Sequence, residues 1–378
     1  LSMWVSNTAT TLMMLPIGMS VLSLVIARSS SESGAEAERA MEAGATIADS
    51  VKDPQVRAFG VCLVLSIAWA ASMGGLGTLL GSPPNAIVAG YASDELGRNI
   101  GFLEWMMLGT PMAFIFILIA WVLMTRWLYR FDLPEIPGGR QMIDDQLRDL
   151  GPLSQGEKMV LAVFCTAAFL WIVPGLLTSI PAIEAAAPWL GNLDDTAIAI
   201  GAGLAMFLLP GKGRDKMVLD WKDAEAGLPW GVLLLFGGGL SLASAVASSG
   251  LDSWFGQQVT GLGSLPTILL VAAVVTIILF LTEITSNTAT AATFIPILGG
   301  VALGIGADAM TLLIPAALAA TCAFMLPVGT PPNAIVFGTG TVTIAQMARG
   351  GFVLNVVGIL LITGLTYLLG GLALGLTF

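Results

Sequence analysis

Two short strings each occur twice in this 378-residue chain, in the same order. Ser6-Asn7-Thr8-Ala9-Thr10 returns as Ser286-Asn287-Thr288-Ala289-Thr290. Pro83-Pro84-Asn85-Ala86-Ile87-Val88 returns as Pro331-Pro332-Asn333-Ala334-Ile335-Val336. The flanks agree as well: Gly81-Ser82 precedes the first pair of prolines and Gly329-Thr330 the second. Identities of five and six residues in a fixed order are hard to assign to chance in an apolar, low-complexity chain. They define one structural unit used twice.

The unit sits in a chain built for a bilayer. The sequence is 56% hydrophobic and 11% charged, with a mean hydropathy of +0.88, whereas an ordinary soluble domain carries about a quarter charged residues. This composition belongs to an all-α polytopic membrane protein. His is absent, which removes the usual general base and the commonest metal ligand. Cys62, Cys165 and Cys322 stand far apart in apolar runs and read as buried small hydrophobes. No transition metal, organic cofactor or nucleic-acid partner is expected. The net charge of −10 mostly reflects loops. A motif at membrane depth needs a segment leading to it, and the first motif begins at Ser6. The expectation is therefore that N-terminal spans are missing from this sequence.

Apolar runs predict membrane segments at 9–27, 58–73, 102–124, 159–177, 196–209, 230–248, 265–281, 289–303, 311–326 and 352–376. The second of these runs into Gly74-Gly75, Gly77 and Gly81-Ser82-Pro83-Pro84, which cannot continue an ordinary helix. Ser is a good N-cap and Pro suits a first helical turn. The crossing is thus predicted to break and restart as a half-helix from about Asn85 to Ala92. Polar segments 28–57, 126–158 and 212–222 hold thirteen of the 15 Lys and Arg and should be cytoplasmic. Five crossings separate the first of them from the region before Leu265, so the second Ser-Asn-Thr enters from the opposite side. The repeats are then inverted, the usual plan of secondary transporters. Trp105, Trp127, Trp189, Trp221 and Trp230 fall near span ends and read as interface anchors. Gly237-Gly238-Gly239 reads as close helix packing, because no Lys-Ser/Thr follows to make a phosphate loop.

Irregular backbone inside a bilayer is tolerated only where it faces protein or water. Each Ser-Asn-Thr therefore reads as the tip of a re-entrant helical hairpin, and each Pro-Pro-Asn as the restart of a broken transmembrane helix. Helix beginnings after Thr8, Pro83, Thr288 and Pro331 offer unpaired N–H groups to an anion. Helix ends beside them offer carbonyls suited to Na⁺. No Lys or Arg lies within a motif. A helix end supplies only about half a charge, and bare charge in a bilayer is expensive. Co-bound cations are the simplest compensation for a multiply charged anion. Glu283, an acid in an apolar run beside the second motif, reads as a hydrogen-bonded group holding the hairpin; tuning a cation site and titrating are the other readings.

At these residues the chain resembles the divalent anion/sodium symporter family, whose signature is the paired Ser-Asn-Thr motifs and the paired Ser/Thr-Pro-Pro-Asn loops. The resemblance implies an elevator-type, Na⁺-coupled carrier of C4-dicarboxylates such as succinate. It implies a homodimer spanning the lipid of the bacterial inner membrane many times. By resemblance, Asn7, Thr8, Ser82, Asn287, Thr288, Thr330 and Pro331 contact the substrate. One sodium site takes Ser2, Ser6, Asn7 and Gly81, and the other Thr282, Ser286, Asn287 and Gly329. Residues 1–130 are the first repeat of the transport domain, 131–264 the cytoplasmic loop and scaffold helices, and 265–378 the second repeat. Na⁺-independent dicarboxylate exchange and sulfate or citrate transport stay open on the same scaffold. An anion channel is the alternative from another class. An intramembrane enzyme fits worst, since His is absent and no Ser–Lys pair lies within the spans.

Overall fold

A computed structural model describes residues 1–29, 51, 53–132, 144, 148, 151–178, 180–211, 217–228, 230–251, 254 and 265–378. Arg39, Lys52, Arg140, Lys212, Arg214 and Lys216, on which the orientation partly rests, lie outside the described residues. Apart from one isolated bridge, the regular structure among the described residues is helical. In chain order the α-helices are α1 (Asn7–Ser29), α2 (Pro54–Gly74), α3 (Pro83–Leu96), α4 (Phe102–Leu123), α5 (Gln155–Thr178), α6 (Pro181–Ala186) and α7 (Asp195–Leu208). They continue with α8 (Trp221–Gly227), α9 (Trp230–Ser249), α10 (Thr267–Thr282), α11 (Asn287–Gly304), α12 (Ala309–Thr321), α13 (Pro331–Phe337) and α14 (Ile344–Leu374). Among the described residues six helices are long and apolar enough to cross a membrane: Asn7–Ile26, Pro54–Gly74, Phe102–Leu128, Gln155–Thr178, Asn287–Gly304 and Ile344–Leu374.

The chain divides into two compact units, 1–100 with 105–139 and 232–378, and 101–104 with 140–231. Both repeated motifs belong to the first. Its packing repeats as its sequence does. The Pro-Pro helix of the first copy, α3, lies against α11 and α12 of the second. The Pro-Pro helix of the second copy, α13, lies against α1 and α2 of the first. Helix α12 is buried over its whole length, 309–321, which explains why it is apolar on every face. Phe324, just beyond it, is fully buried and meets Phe116 and Trp69 edge-on at 5.5 and 6.3 Å.

Both helix breaks form where the sequence places them, with different lengths. Helix α3 starts at Pro83 and runs to Leu96, beyond the predicted Ala92, until Gly97 at φ +62° ends it. The predicted apolar run 311–326 is helical only to Thr321. Breaking a helix inside a bilayer frees backbone groups that no water can satisfy. The Asn of each Pro-Pro-Asn supplies the answer. Asn85 Nδ2 donates to the carbonyls of Gly75 and Thr78 at 2.9 and 2.8 Å. Asn333 Nδ2 donates to those of Ala323 and Leu326, both at 3.0 Å. In both copies the acceptors lie ten and seven residues before the Asn.

Other bonds close the first break from α4. Trp105 Nε1 donates to Leu76 O and Thr110 Oγ1 to Gly77 O, both at 3.0 Å. Trp105 is thus 1% exposed and no interface anchor, because its N–H is needed inside. Trp127, Trp189, Trp221 and Trp230 are exposed. Two further readings need correction. Cys62 and Cys322 are buried, but Cys165 is exposed on α5, most of whose apolar side chains are not buried by the chain itself. Gly237 and Gly238 are exposed, and a Cβ at either would meet nothing within 4 Å; no close helix packing is found there among the described residues. In the second unit Asp195 accepts the Phe102 N–H at 2.9 Å, and Phe102 stacks on Trp171 at 5.0 Å.

Asn85→Ala and Asn333→Ala each strip two buried carbonyls of a donor. Each substitution should cost about 1–3 kcal/mol, read as a lower thermal unfolding temperature of the detergent-solubilised protein.

Candidate functional site

Each Ser-Asn-Thr starts a helix at the point where another helix ends. In the first copy Ser6 Oγ accepts the Ala9 N–H at 3.2 Å, and Asn7 opens α1 against the last turn of α2. The backbones come close because glycine lines the meeting point. A Cβ on Gly74 would overlap the Ser2 hydroxyl, and one on Gly75 would overlap the Asn7 amide. The amide end of Asn7 faces the carbonyls of Ala71 and Gly81, at 2.7 and 3.3 Å. With its nitrogen toward them, Asn7 donates to both. With its oxygen toward them, three oxygens converge.

The second copy repeats this arrangement. The amide end of Asn287 faces Thr282 Oγ1, Ala320 O and Gly329 O at 2.8, 3.1 and 3.3 Å. Thr282 Oγ1 also reaches Ala320 O at 3.1 Å. Ala71 lies in the last turn of α2 and Ala320 in the last turn of α12. Carbonyls there form the negative end of the helix dipole, although that of Ala71 also accepts the Gly75 N–H at 3.1 Å. Two clusters of hard oxygen atoms at helix ends fit a small hard cation. The positive starts of α1 and α11 lie directly beside them, where an anion is favoured.

The structure brings Asn7 and Gly81 together, with buried Ser2 against Gly74, and it gathers Thr282, Asn287 and Gly329. Ser6 and Ser286 occupy the exposed N-cap positions of α1 and α11; Ser6 caps its own helix rather than turning inward. Thr8 is half-buried, Thr288 buried, and Pro331 exposed at the start of α13. Ser82 does not cap α3. Its Oγ accepts from Thr321 Oγ1 at 3.0 Å, because the end of α12 supplies a donor there. Thr330 does cap α13, accepting the Asn333 N–H at 3.3 Å. The Ser82–Thr321 bond joins the restart of the first broken helix to the break of the second.

Three contributors had no signal in the sequence: the carbonyls of Ala71, Ala320 and Thr321. Thr321 O lies 3.4 Å from Asn287 Nδ2. Every residue carries a carbonyl, and only the fold selects which ones face a site. Glu283 is buried at 3% exposure. Its Oε1 accepts the N–H groups of Phe324 and Met325 at 2.7 and 3.0 Å and Asn355 Nδ2 at 2.8 Å. Its Oε2 accepts those of Met325 and Leu326 at 3.0 and 3.1 Å. The acid holds the hairpin turn to the break, and this is also why the helix stops at Thr321.

Fold and site together define a multi-pass helical membrane protein whose polar centre is a duplicated pair of oxygen-lined helix junctions. The chain belongs to the sodium:sulfate symporter transmembrane region family, which matches residues 1–373. It is similar to the sodium-dependent dicarboxylate transporter SdcS of Staphylococcus saprophyticus, 38% identical over 380 residues, covering 100% of this chain and 68% of the relative. The protein of that name from Staphylococcus aureus strain MRSA252 is 38% identical over 378 residues, with the same coverage. The chain is thus a membrane protein of a transporter family, placed in the bacterial cell membrane.

With the native cysteines replaced by serine, the pair Ser82→Cys and Thr321→Cys should close into a disulfide on mild oxidation. Protection of both thiols from maleimide is the expected readout; labelling of both after oxidation would contradict the contact.

Proposed function

We propose that this protein carries a C4-dicarboxylate such as succinate across the membrane together with Na⁺. The observation that supports this best is the pair of oxygen clusters at Asn7 and Asn287, each at a junction of helix end and helix start. Na⁺ fits the carbonyl side of each junction, held by Asn7 and Gly81 with Ser2 and Ser6 beside them, and by Thr282, Asn287 and Gly329 with Ser286. The two carboxylates fit the helix-start side, at Asn7, Thr8 and Ser82 and at Asn287, Thr288, Thr330 and Pro331. The relatives' names agree with both ligands.

The Asn amides supply a physical link between the two ligands. Without a cation, each nitrogen is best placed donating to the carbonyls. A cation there requires the oxygen, which turns the NH₂ toward the anion. Na⁺ thus converts a site that repels a carboxylate into one that binds it, which is the differential interaction that coupling requires. The matching hydrogen bonds at equal offsets support a structural repeat, and the distribution of basic segments supports its inversion. Elevator movement of the motif-bearing unit and a homodimer complete the reading, both taken from the family resemblance.

Radiolabelled succinate uptake by the full-length protein in proteoliposomes tests this, with and without an inward Na⁺ gradient. Saturable uptake that needs Na⁺ is expected. Uptake that ignores Na⁺ but needs internal dicarboxylate would make the protein an exchanger. Asn7→Ala and Asn287→Ala should each weaken both Na⁺ and succinate by about tenfold or more, the loss of one or two hydrogen bonds to charged ligands.

A further inference from the structure

The two junctions share their Asn and glycine but differ in one charge. In the second copy, Glu283 stands three residues before Ser286. The equivalent place before Ser6 is Met3, which contributes its backbone carbonyl as an acceptor for Thr78 Oγ1. No acid occurs in 1–11 or in 75–82, the segments that build the first junction. The duplicated geometry is therefore carried once with a carboxylate and once without.

That carboxylate is placed beside the second oxygen cluster. A Cβ built on Gly329 would lie 3.3 Å from Glu283 Oε2, and the Gly329 carbonyl is one of the oxygens facing Asn287. Every hydrogen-bond partner of Glu283 is a donor: three backbone N–H groups and Asn355 Nδ2. The ionised, acceptor-only form matches this set. Among the described residues no Lys or Arg forms an ion pair with it; Arg98 pairs with Asp308, at 3.2 Å. A buried charge without a counter-charge is costly inside a membrane. Dipoles of N–H groups reduce that cost, and a cation in the neighbouring cluster would remove most of the rest.

We propose that Glu283 is a positioning residue that makes the second junction the tighter of the two Na⁺ sites. It holds the 324–326 break so that Gly329 faces Asn287, and it sets a fixed negative charge next to that cluster. This rests on the Na⁺-coupled reading above and adds an order to it. The second junction fills at lower Na⁺, and the first, lacking the acid, fills later.

The test is Na⁺-induced thermal stabilisation of the purified full-length protein in detergent, without dicarboxylate, which reads cation binding separately from transport. Glu283→Gln should raise the half-saturating Na⁺ concentration by about tenfold, as expected for losing one nearby charge of partly screened effect. Glu283→Asp keeps the charge and should restore part of the affinity. Asn355→Ala removes one holder of the carboxylate but keeps the charge, and should lower stability while leaving half-saturation unchanged. An unchanged half-saturation in Glu283→Gln, a shift in Asn355→Ala as large as that in Glu283→Gln, or a wild-type protein indifferent to Na⁺ would each overturn the proposal. If Glu283→Gln does not fold, an Asp variant identical to wild type overturns it instead. Failure of succinate uptake alongside a normal Na⁺ shift would count against the dicarboxylate reading and leave the Glu283 assignment standing.

Discussion

Everything in the first unit follows from breaking helices where no water can satisfy the freed backbone. Within a bilayer each unpaired N–H or C=O costs several kcal/mol, so a break survives only when side chains take those groups over. Asn85 and Asn333 do this from identical positions, and Trp105, Thr110 and Glu283 complete it. The carbonyls that face Asn7 and Asn287 are those of Ala71, Gly81, Ala320 and Gly329; Ala71 shares its oxygen with the Gly75 N–H and Ala320 with the Thr282 hydroxyl. The site is thus made largely of backbone carbonyls that the fold gathers at and beside the helix ends.

The two copies solve the same problem with different side chains. The first break is closed from α4 by an indole and a hydroxyl that donate to carbonyls. The second is closed by a carboxylate that accepts from N–H groups, steadied by Asn355 of α14. Ser82 gives its hydroxyl to the contact with Thr321, whereas Thr330 keeps its own for capping. A duplicated unit therefore need not present two equal sites. Here the inequality lies in charge, which acts over a longer range than any single hydrogen bond.

Packing explains why the junctions can be so close. Helices in lipid gain little from hiding apolar surface from one another and associate through close van der Waals contact between small residues. Gly74 and Gly75 allow α1 to meet the end of α2 without a side chain between them. Gly351 does the same for α14 against the break, where any Cβ would overlap the Phe324 backbone. Each Pro-Pro helix packs on the other copy, so neither copy has its full set of neighbours within its own stretch of sequence.

The sequence by itself determined the membrane class, the duplicated motifs, the places where helices must stop and start, and the short polar residues at those places. These are legible because proline, glycine and capping residues act on their own backbone, and because apolar runs need no partner to be recognised. It did not determine that the 322–326 run unwinds, since Cys322-Ala323-Phe324-Met325-Leu326 reads as helix until Glu283 and Asn333 take its backbone. Nor did it place Trp105 inside, give Ser82 to Thr321, or select Ala71 and Ala320 as site carbonyls. Those choices pair residues tens to hundreds of positions apart. Only the tertiary structure decides them, because a hydrogen bond depends on position in space and leaves no local pattern in the chain.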